Sequence, residues 1–444
     1  MQFRARDLGA RGEVTRGAAG VAAMRCAELA LNLGAAILLA RALGVSGYGA
    51  YAAAIAVANL LTIPSTLGTV PLLVRGAAAY VSSGSLSLLH GLLRRAWQWA
   101  AATATAVGAL TAAGVLLLAG GSPGTRAVAA AGLLVPLTAL CLLGQGALQG
   151  LQRVGAAFVS LMVVRPLAFV GALAALRLAG VHLAPGGAML LQAAATGCAL
   201  LLTVLLLRAA IPAAVRLARP AYATRTWAAS ALAMGLNNGL MAVHAGTGVA
   251  LAAAVGGARD AGLLGGAMRV TTVVVLTIWA SLQAFTPVIA RLYAAGEIER
   301  LRRGTALFTR RVLAATCVVA AIVAALADPI LGILGHDFTA GATALRLLCL
   351  AAVINAAAAP NVSLLMMTEH ERAAAGSAGV AVVLNVALCL LLIPPLGASG
   401  AAVAFAASVL LRNAIASWWT WTRLAIDSTA LGLRPPRSPA SPGA

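Results

Sequence analysis

The sequence predicts an all-α polytopic membrane protein with about twelve transmembrane helices. Hydrophobic residues make up 61% of the 444 residues and charged residues only 9%, whereas about a quarter of the residues of a soluble domain are charged. The mean hydropathy is +0.96, and apolar stretches of about 20 residues, long enough to cross a bilayer, recur along the chain. These stretches do not alternate as the strands of a membrane barrel would. The chain is therefore expected to cross the membrane as helices.

The distribution of arginine supports the number of spans. With the N-terminus in the cytoplasm, 22 of the 31 arginines fall in cytoplasmic segments, four in external loops and five within spans. This asymmetry follows the positive-inside rule and places both termini in the cytoplasm. The net charge of +20 is thus explained by arginines that orient the chain in the membrane, and no nucleic-acid partner is predicted. The predicted spans are 17–40, 48–73, 96–119, 126–148, 156–179, 186–208, 227–254, 262–289, 311–334, 342–367, 374–396 and 398–422.

The two halves of the chain contain similar segments. Pro71-Leu-Leu-Val-Arg75, at the end of the second span, recurs as Pro287-Val-Ile-Ala-Arg291 at the end of the eighth. Each of these spans follows a glycine-flanked segment, Gly44–Gly49 or Gly257–Gly262. Because each half has six spans, the halves share one orientation in the membrane. The predicted organisation is a cytoplasmic segment 1–16, an N-lobe 17–208, a cytoplasmic linker 209–226, a C-lobe 227–424 and a disordered cytoplasmic tail 425–444.

Several motifs follow one another in order along most of the chain. They are Ala40–Tyr51, Leu148–Arg153, Arg165-Pro166, Pro287–Arg302, Met367–Arg372 and Leu392–Ala402. At these motifs the chain resembles the polysaccharide (O-antigen type) flippase branch of the multidrug/oligosaccharidyl-lipid/polysaccharide exporter superfamily. The resemblance implies two six-helix lobes around a central cavity, in the cytoplasmic membrane. It also implies alternating-access transport of a lipid-linked, pyrophosphate-bearing oligosaccharide for cell-surface polysaccharide synthesis. The implied partners are membrane lipids and other polysaccharide-assembly membrane proteins, and no cofactor is implied.

Charged residues within the spans are the candidate substrate-binding residues. An arginine at the centre of a bilayer costs about 2.5–3.5 kcal/mol, and its planar guanidinium binds phosphate in a bidentate manner. We therefore expect Arg25, Glu28, Arg165, Arg269 and Arg412 to bind the substrate. Alternatively, the arginines reach the membrane surface or bond to backbone carbonyls, and this interpretation applies above all to Arg346, near the outer end of its span.

Two titratable groups are candidates for coupling transport to an ion. Glu28 follows Arg25 by three residues on the same helical face, which predicts an ion pair. His244 is the only histidine in a span, and it either relays protons or packs in the helix bundle. Relatives of the flippase branch often keep an acidic residue in the first helix of the second half, where this chain has Asn237 and Asn238. The spacing of histidine and cysteine predicts no metal site.

Three other functions were weighed against a flippase. A cation-coupled drug or small-molecule antiporter of the same superfamily would need several intramembrane carboxylates, and Glu28 is the only acid well inside a span. A membrane glycosyltransferase or polymerase would need catalytic acids in an external loop, where only Asp260 and Asp337 are found. A scaffold without transport activity stays open. The sequence therefore favours a transporter over an enzyme.

Overall fold

The computed structural model describes residues 2–66, 68–118, 123–368, 370–424 and 426–429. These residues are mostly helical and form no strand, which confirms the all-α class. Nine helical segments of this part are long and apolar enough to cross a membrane, and two of them, Ala23–Thr66 and Arg372–Leu424, are long enough for two spans each. The helices are α1 Gln2–Thr66, α2 Thr69–Ser82, α3 Leu86–Leu118, α4 Pro123–Gly150, α5 Val154–Val159, α6 Arg165–Leu178, α7 Pro185–Ala210, α8 Ala213–Leu217, α9 Thr224–Leu251, α10 Ala258–Ala294, α11 Ile298–Ala325, α12 Ala327–Leu334, α13 Ala342–Ala356, α14 Asn361–Met367 and α15 Glu371–Leu424.

Glycines with positive φ end one span and begin the next without a loop. Gly44 (φ 67°, ψ 179°) lies inside α1, and Gly257 (φ 92°, ψ 176°) lies immediately before α10. Side chains disfavour this left-handed region, so glycine is the residue that fits there. The two glycines have nearly the same conformation at equivalent places in the predicted repeat, which supports an internal duplication. Gly397 (φ 57°) divides α15 in a similar way.

Several spans that we predicted as continuous are interrupted. The second breaks between Thr66 and Gly68, and the ninth divides at Leu326 between α11 and α12. The tenth divides into α13 and α14 around the turn 357–360. The fifth contains a π-helical turn, Ser160–Val164, directly before Arg165. The next residue, Pro166, has no N–H to donate to the preceding turn, which explains the local widening of the helix.

The chain divides into two compact units, Met1–Ala242 and Val243–Ala444. In the first unit α4 is central and packs against α1, α2, α3 and α7. Small residues permit this close packing: a Cβ at Gly108 would overlap the carbonyl oxygen of Gly132, and one at Gly144 would overlap Thr203. In the second unit α13 takes the same role and packs against α10, α11 and α15. The fourth predicted span of each half is thus the one at the centre of its unit.

The boundary between the two units lies inside α9. The first turns of α9 pack on the first unit because Trp227 donates a hydrogen bond from Nε1 to the Tyr80 hydroxyl at 2.9 Å. The Ala231 carbonyl also lies so close to Gly68 that any side chain there would overlap it. These contacts attach the start of the seventh span to the N-terminal half.

The ordered chain continues beyond residue 424, where we predicted the end of the C-lobe. Ile426 and Ser428 are buried, and Thr309 donates a hydrogen bond from Oγ1 to the Ser428 carbonyl at 3.1 Å. The start of the predicted disordered tail is therefore packed against α11. Residues 430–444 of that predicted tail lie outside the described residues.

Candidate functional site

The predicted Arg25–Glu28 ion pair is present on α1. The Arg25 Nη1 atom lies 2.6 Å from Glu28 Oε2, and the Glu28 side chain is only 14% exposed. The only carboxylate well inside a predicted span is therefore already bonded to a cation. Any coupling ion or cationic substrate would have to compete with Arg25 for it.

Arg165 begins α6 immediately after the π-helical turn, and its side chain is partly buried. One turn further, Phe169 stacks on Tyr51 with ring centroids 6.3 Å apart and an interplanar angle of 9°. The Tyr51 hydroxyl donates to Gln192 Oε1 at 3.4 Å. The first unit therefore places a cation, two aromatic rings and an amide along α1, α6 and α7.

In the second unit, a group of polar side chains surrounds Arg412 on α15. The Arg412 Nη2 atom donates to Asn355 Oδ1 at 2.8 Å, and Asn413 Nδ2 donates to the same oxygen at 3.4 Å. Asn361 Nδ2 donates to Ser417 Oγ at 2.7 Å and to the Asn413 carbonyl at 3.3 Å. We call these five residues the Arg412 cluster. They hold the second half of α15 against the break between α13 and α14.

The break in the tenth span gives the Arg412 cluster its functional interest. Asn355 lies in the last turn of α13 and Asn361 begins α14, so the two amides lie on either side of the interruption. Interrupted helices of this kind commonly form the binding sites of secondary transporters. Asn361 is fully buried, and its Oδ1 atom makes no hydrogen bond to any described residue.

His244 on α9 is buried against Ser408 of α15, which lies one helical turn before Arg412. Its Nε2 atom lies 2.8 Å from Ser408 Oγ, and its ring stacks on Phe405 at 5.0 Å. Ser408 Oγ also lies 2.8 Å from the Phe405 carbonyl, which can only accept a hydrogen bond. The single hydroxyl proton is used there, so Nε2 must carry a proton and donate to Ser408. This arrangement fits a hydrogen-bonded packing histidine, and a role in coupling stays a prediction.

Arg269 differs from the other predicted arginines because its side chain has no partner among the described residues. It lies on α10, is exposed, and forms no hydrogen bond or ion pair with any residue in the described part of the chain. Its neighbour Val270 is buried, as is Val274, so Arg269 lies off the buried face of α10. Within the second unit it shares no hydrogen bond with the Arg412 cluster.

Arg346 has the structural role that its position suggested. Its Nη2 atom lies 2.6 Å from Asp328 Oδ2, and its Nε donates to the Ala324 carbonyl at 3.3 Å. Its acidic partner Asp328 lies in the first turn of the short helix α12, inside the predicted ninth span.

Neither Asn361 nor Phe405 was predicted from the sequence as a site residue. The proline before Asn361 could have indicated a helix break, since Pro360 disfavours a continuous helix. An asparagine in an apolar span does not by itself indicate a binding site. Phe405 gave no signal, because only the folded unit brings it against His244. The side chains of Asn237 and Asn238, which replace the acid expected in relatives, lie outside what the structure describes.

No known protein-family model matches this sequence, and no curated protein matches it. Solved structures do match. One, described as a multidrug resistance MATE family transporter of the MOP superfamily in an inward-facing conformation, has a TM-score of 0.75 at 14% identity and covers 90% of this chain and 94% of its own.

Two further structures extend the comparison. The MATE multidrug transporter DinF-BH in complex with R6G gives a TM-score of 0.65 at 16% identity, over 91% of this chain and 94% of its own. A MOP superfamily transporter from Pyrococcus furiosus, whose binding pocket is described as having reverse polarity, has a TM-score of 0.65 at 13% identity. The match covers 92% of this chain and 95% of that transporter. The chain therefore has the two-lobed, all-helical fold of MATE transporters of the MOP superfamily.

Proposed function

We propose that the protein is a secondary transporter of the MOP-superfamily type, which exports an amphipathic substrate by alternating access. The observation that carries this proposal is the likeness of the fold over 90% of the chain to a multidrug resistance transporter, at a TM-score of 0.75. The interrupted helix beside the Arg412 cluster adds support, since such interruptions accompany substrate sites in transporters.

A coupled antiporter of small molecules is the first candidate. The structures that share the fold are described as multidrug transporters, and one holds R6G. In such a transporter a titratable group must exchange an ion for the substrate, and Glu28 and His244 are the candidates in this chain. Glu28 would have to release Arg25, and His244 would have to release Ser408, when the ion binds.

A flippase for a lipid-linked, pyrophosphate-bearing oligosaccharide is the second candidate. It is supported by the unpartnered, exposed guanidinium of Arg269 on α10 and by the bonding of Glu28 to Arg25. Both features favour a substrate with negative charge over a cationic drug. The P. furiosus transporter, described as having a pocket of reverse polarity that suggests a different function, shows that the charge of a site varies within this fold.

Transport by purified protein in liposomes separates the two candidates. Uptake of a cationic dye such as R6G, driven by a proton or sodium gradient, would support the small-molecule antiporter. Movement of a fluorescent undecaprenyl pyrophosphate-linked sugar between leaflets would support the flippase. Vesicles with the matched Arg269→Gln variant serve as a control for substrate charge. Failure of both substrates to move under either gradient would contradict the transport proposal.

A further inference from the structure

We propose that the first unit binds an anionic phospholipid, with an acyl chain in an apolar cavity between α3, α7 and α8 and the phosphate between Arg94 and Arg216. The cavity has a volume of about 210 Å³. Leu93, Trp97 and Leu207 contribute apolar walls, while the two arginines lie at its edge. A long hydrocarbon chain with a charged end fits this division better than a uniformly polar ligand.

The frame of the cavity is fixed by contacts between α3 and the chain that follows α8. His90 donates from Nδ1 to the Ala218 carbonyl at 2.8 Å, and the Ala221 N–H donates to the Ser87 carbonyl at 2.9 Å. Gly91 makes this approach feasible, because a Cβ there would overlap the Ala221 carbonyl. The cavity is therefore a built feature of the unit rather than a gap between loosely packed helices.

The charges at the edge of the cavity have no carboxylate to neutralise them. From residue 29 to residue 259 the sequence contains no Asp or Glu. Arg94 and Arg216 are exposed, and neither forms a hydrogen bond or ion pair with a described residue. Two guanidinium groups without acidic neighbours attract an anion that can accept several hydrogen bonds, and a phosphate does so.

The surroundings identify the anion as a lipid headgroup and not as a soluble phosphate. Leu217, next to Arg216 on α8, is 85% exposed, and such a side chain is favourable where a short helix meets the membrane. Trp97 has the amphipathic ring that prefers the boundary between lipid and water. The positive-inside rule assigns this end of the unit to the cytoplasmic leaflet, where basic pockets between helices hold anionic headgroups.

Quenching of tryptophan fluorescence by brominated lipids tests the site on the full-length protein in detergent. Brominated phosphatidylglycerol should quench a part of the emission that the Trp97→Phe variant lacks, and brominated phosphatidylcholine should not. The Arg94→Gln/Arg216→Gln variant should bind phosphatidylglycerol about thirtyfold more weakly, because two cations next to an anionic headgroup are lost. The matched control, Arg126→Gln/Arg177→Gln, removes two exposed arginines from the predicted external loops and should bind like the unaltered protein.

Several results would overturn this proposal. Equal quenching by phosphatidylcholine would show that the headgroup charge is not recognised. Undiminished quenching in Trp97→Phe would place the lipid elsewhere. Millimolar inorganic phosphate could displace the phospholipid while the length of the acyl chains has no effect on binding. That result would assign the two arginines to a soluble anion. Because Trp97→Phe changes no charge, it keeps the test valid even if the arginine double variant does not fold.

Discussion

At the scale of single residues, the structure separates bonded arginines of the predicted spans from Arg269, which is not bonded to any described residue. Arg25 is bonded to Glu28, Arg346 to Asp328, and Arg412 to Asn355. Arg269 has no such partner in the described part of the chain. Removal of a bonded arginine changes stability as well as function, so Arg269 is the residue at which substrate binding can be tested with the least structural disturbance.

We expect Arg269→Gln to reduce transport of an anionic substrate about ten- to a hundredfold, because a hydrogen bond to a charged group contributes about 1.5–3 kcal/mol. The measurement is the initial rate in liposomes, normalised to the amount of folded protein. Arg177→Gln, which removes an exposed arginine of a predicted external loop, is the matched control and should retain its rate. An unchanged rate in Arg269→Gln would remove the main support for an anionic substrate.

The Asn355 side chain accepts hydrogen bonds from both Arg412 and Asn413, so its loss should destabilise the second unit. We expect Asn355→Ala to lower the free energy of unfolding by about 1–3 kcal/mol, because buried donors lose their acceptor. Thermal denaturation in detergent measures this change. Asn59→Ala, at an exposed position of α1, should denature at nearly the unaltered temperature. Equal midpoints for the two variants would show that the Arg412 cluster contributes nothing to stability.

At the scale of elements, the joints between spans depend on backbone conformations that the composition does not reveal. Asp260, which we had considered as an external acid, accepts a hydrogen bond from the Ala398 N–H at 3.3 Å. It thereby caps the second half of α15 just after the positive-φ residue Gly397. A carboxylate on one helix therefore holds the start of another, which argues for a structural and not a catalytic role of Asp260.

Gly397→Ala should destabilise this joint for two reasons. Its φ of 57° is strained for alanine by about 1–2 kcal/mol, and the added Cβ would lie 2.6 Å from Asp260 Oδ1. Gly376→Ala, in the first half of α15, meets open space and should stabilise the helix by up to about 1 kcal/mol. The two thermal midpoints should therefore move in opposite directions. A rise in both would contradict the described conformation of Gly397.

At the scale of the whole molecule, the distribution of charge predicts which loops face the cytoplasm. Reporter fusions at Ser83 and Arg153 should report a cytoplasmic location, and a fusion at Gly180 an external one. These sites lie in exposed turns between helices. A cytoplasmic signal from Gly180 would invert the topology and, with it, the leaflet proposed for the phospholipid.

The internal repeat is the feature of the whole chain that the sequence and the structure describe in the same way. The pairs of similar segments predicted two halves of equal orientation, and the structure places Gly44 and Gly257 in matching conformations with α4 and α13 central in their units. The place where the units divide was not predictable, because the attachment of α9 to the first unit depends on Trp227 meeting Tyr80.

The sequence by itself determined the all-α membrane class and the presence of many membrane-spanning helices. It could do so because a bilayer imposes one length and one backbone solution on every crossing segment. Only the tertiary structure decided where spans break and which charges have partners. Those features depend on contacts between residues far apart in sequence, such as Asn361 with Ser417 and Asp260 with Ala398, and no local pattern of hydrophobicity encodes them.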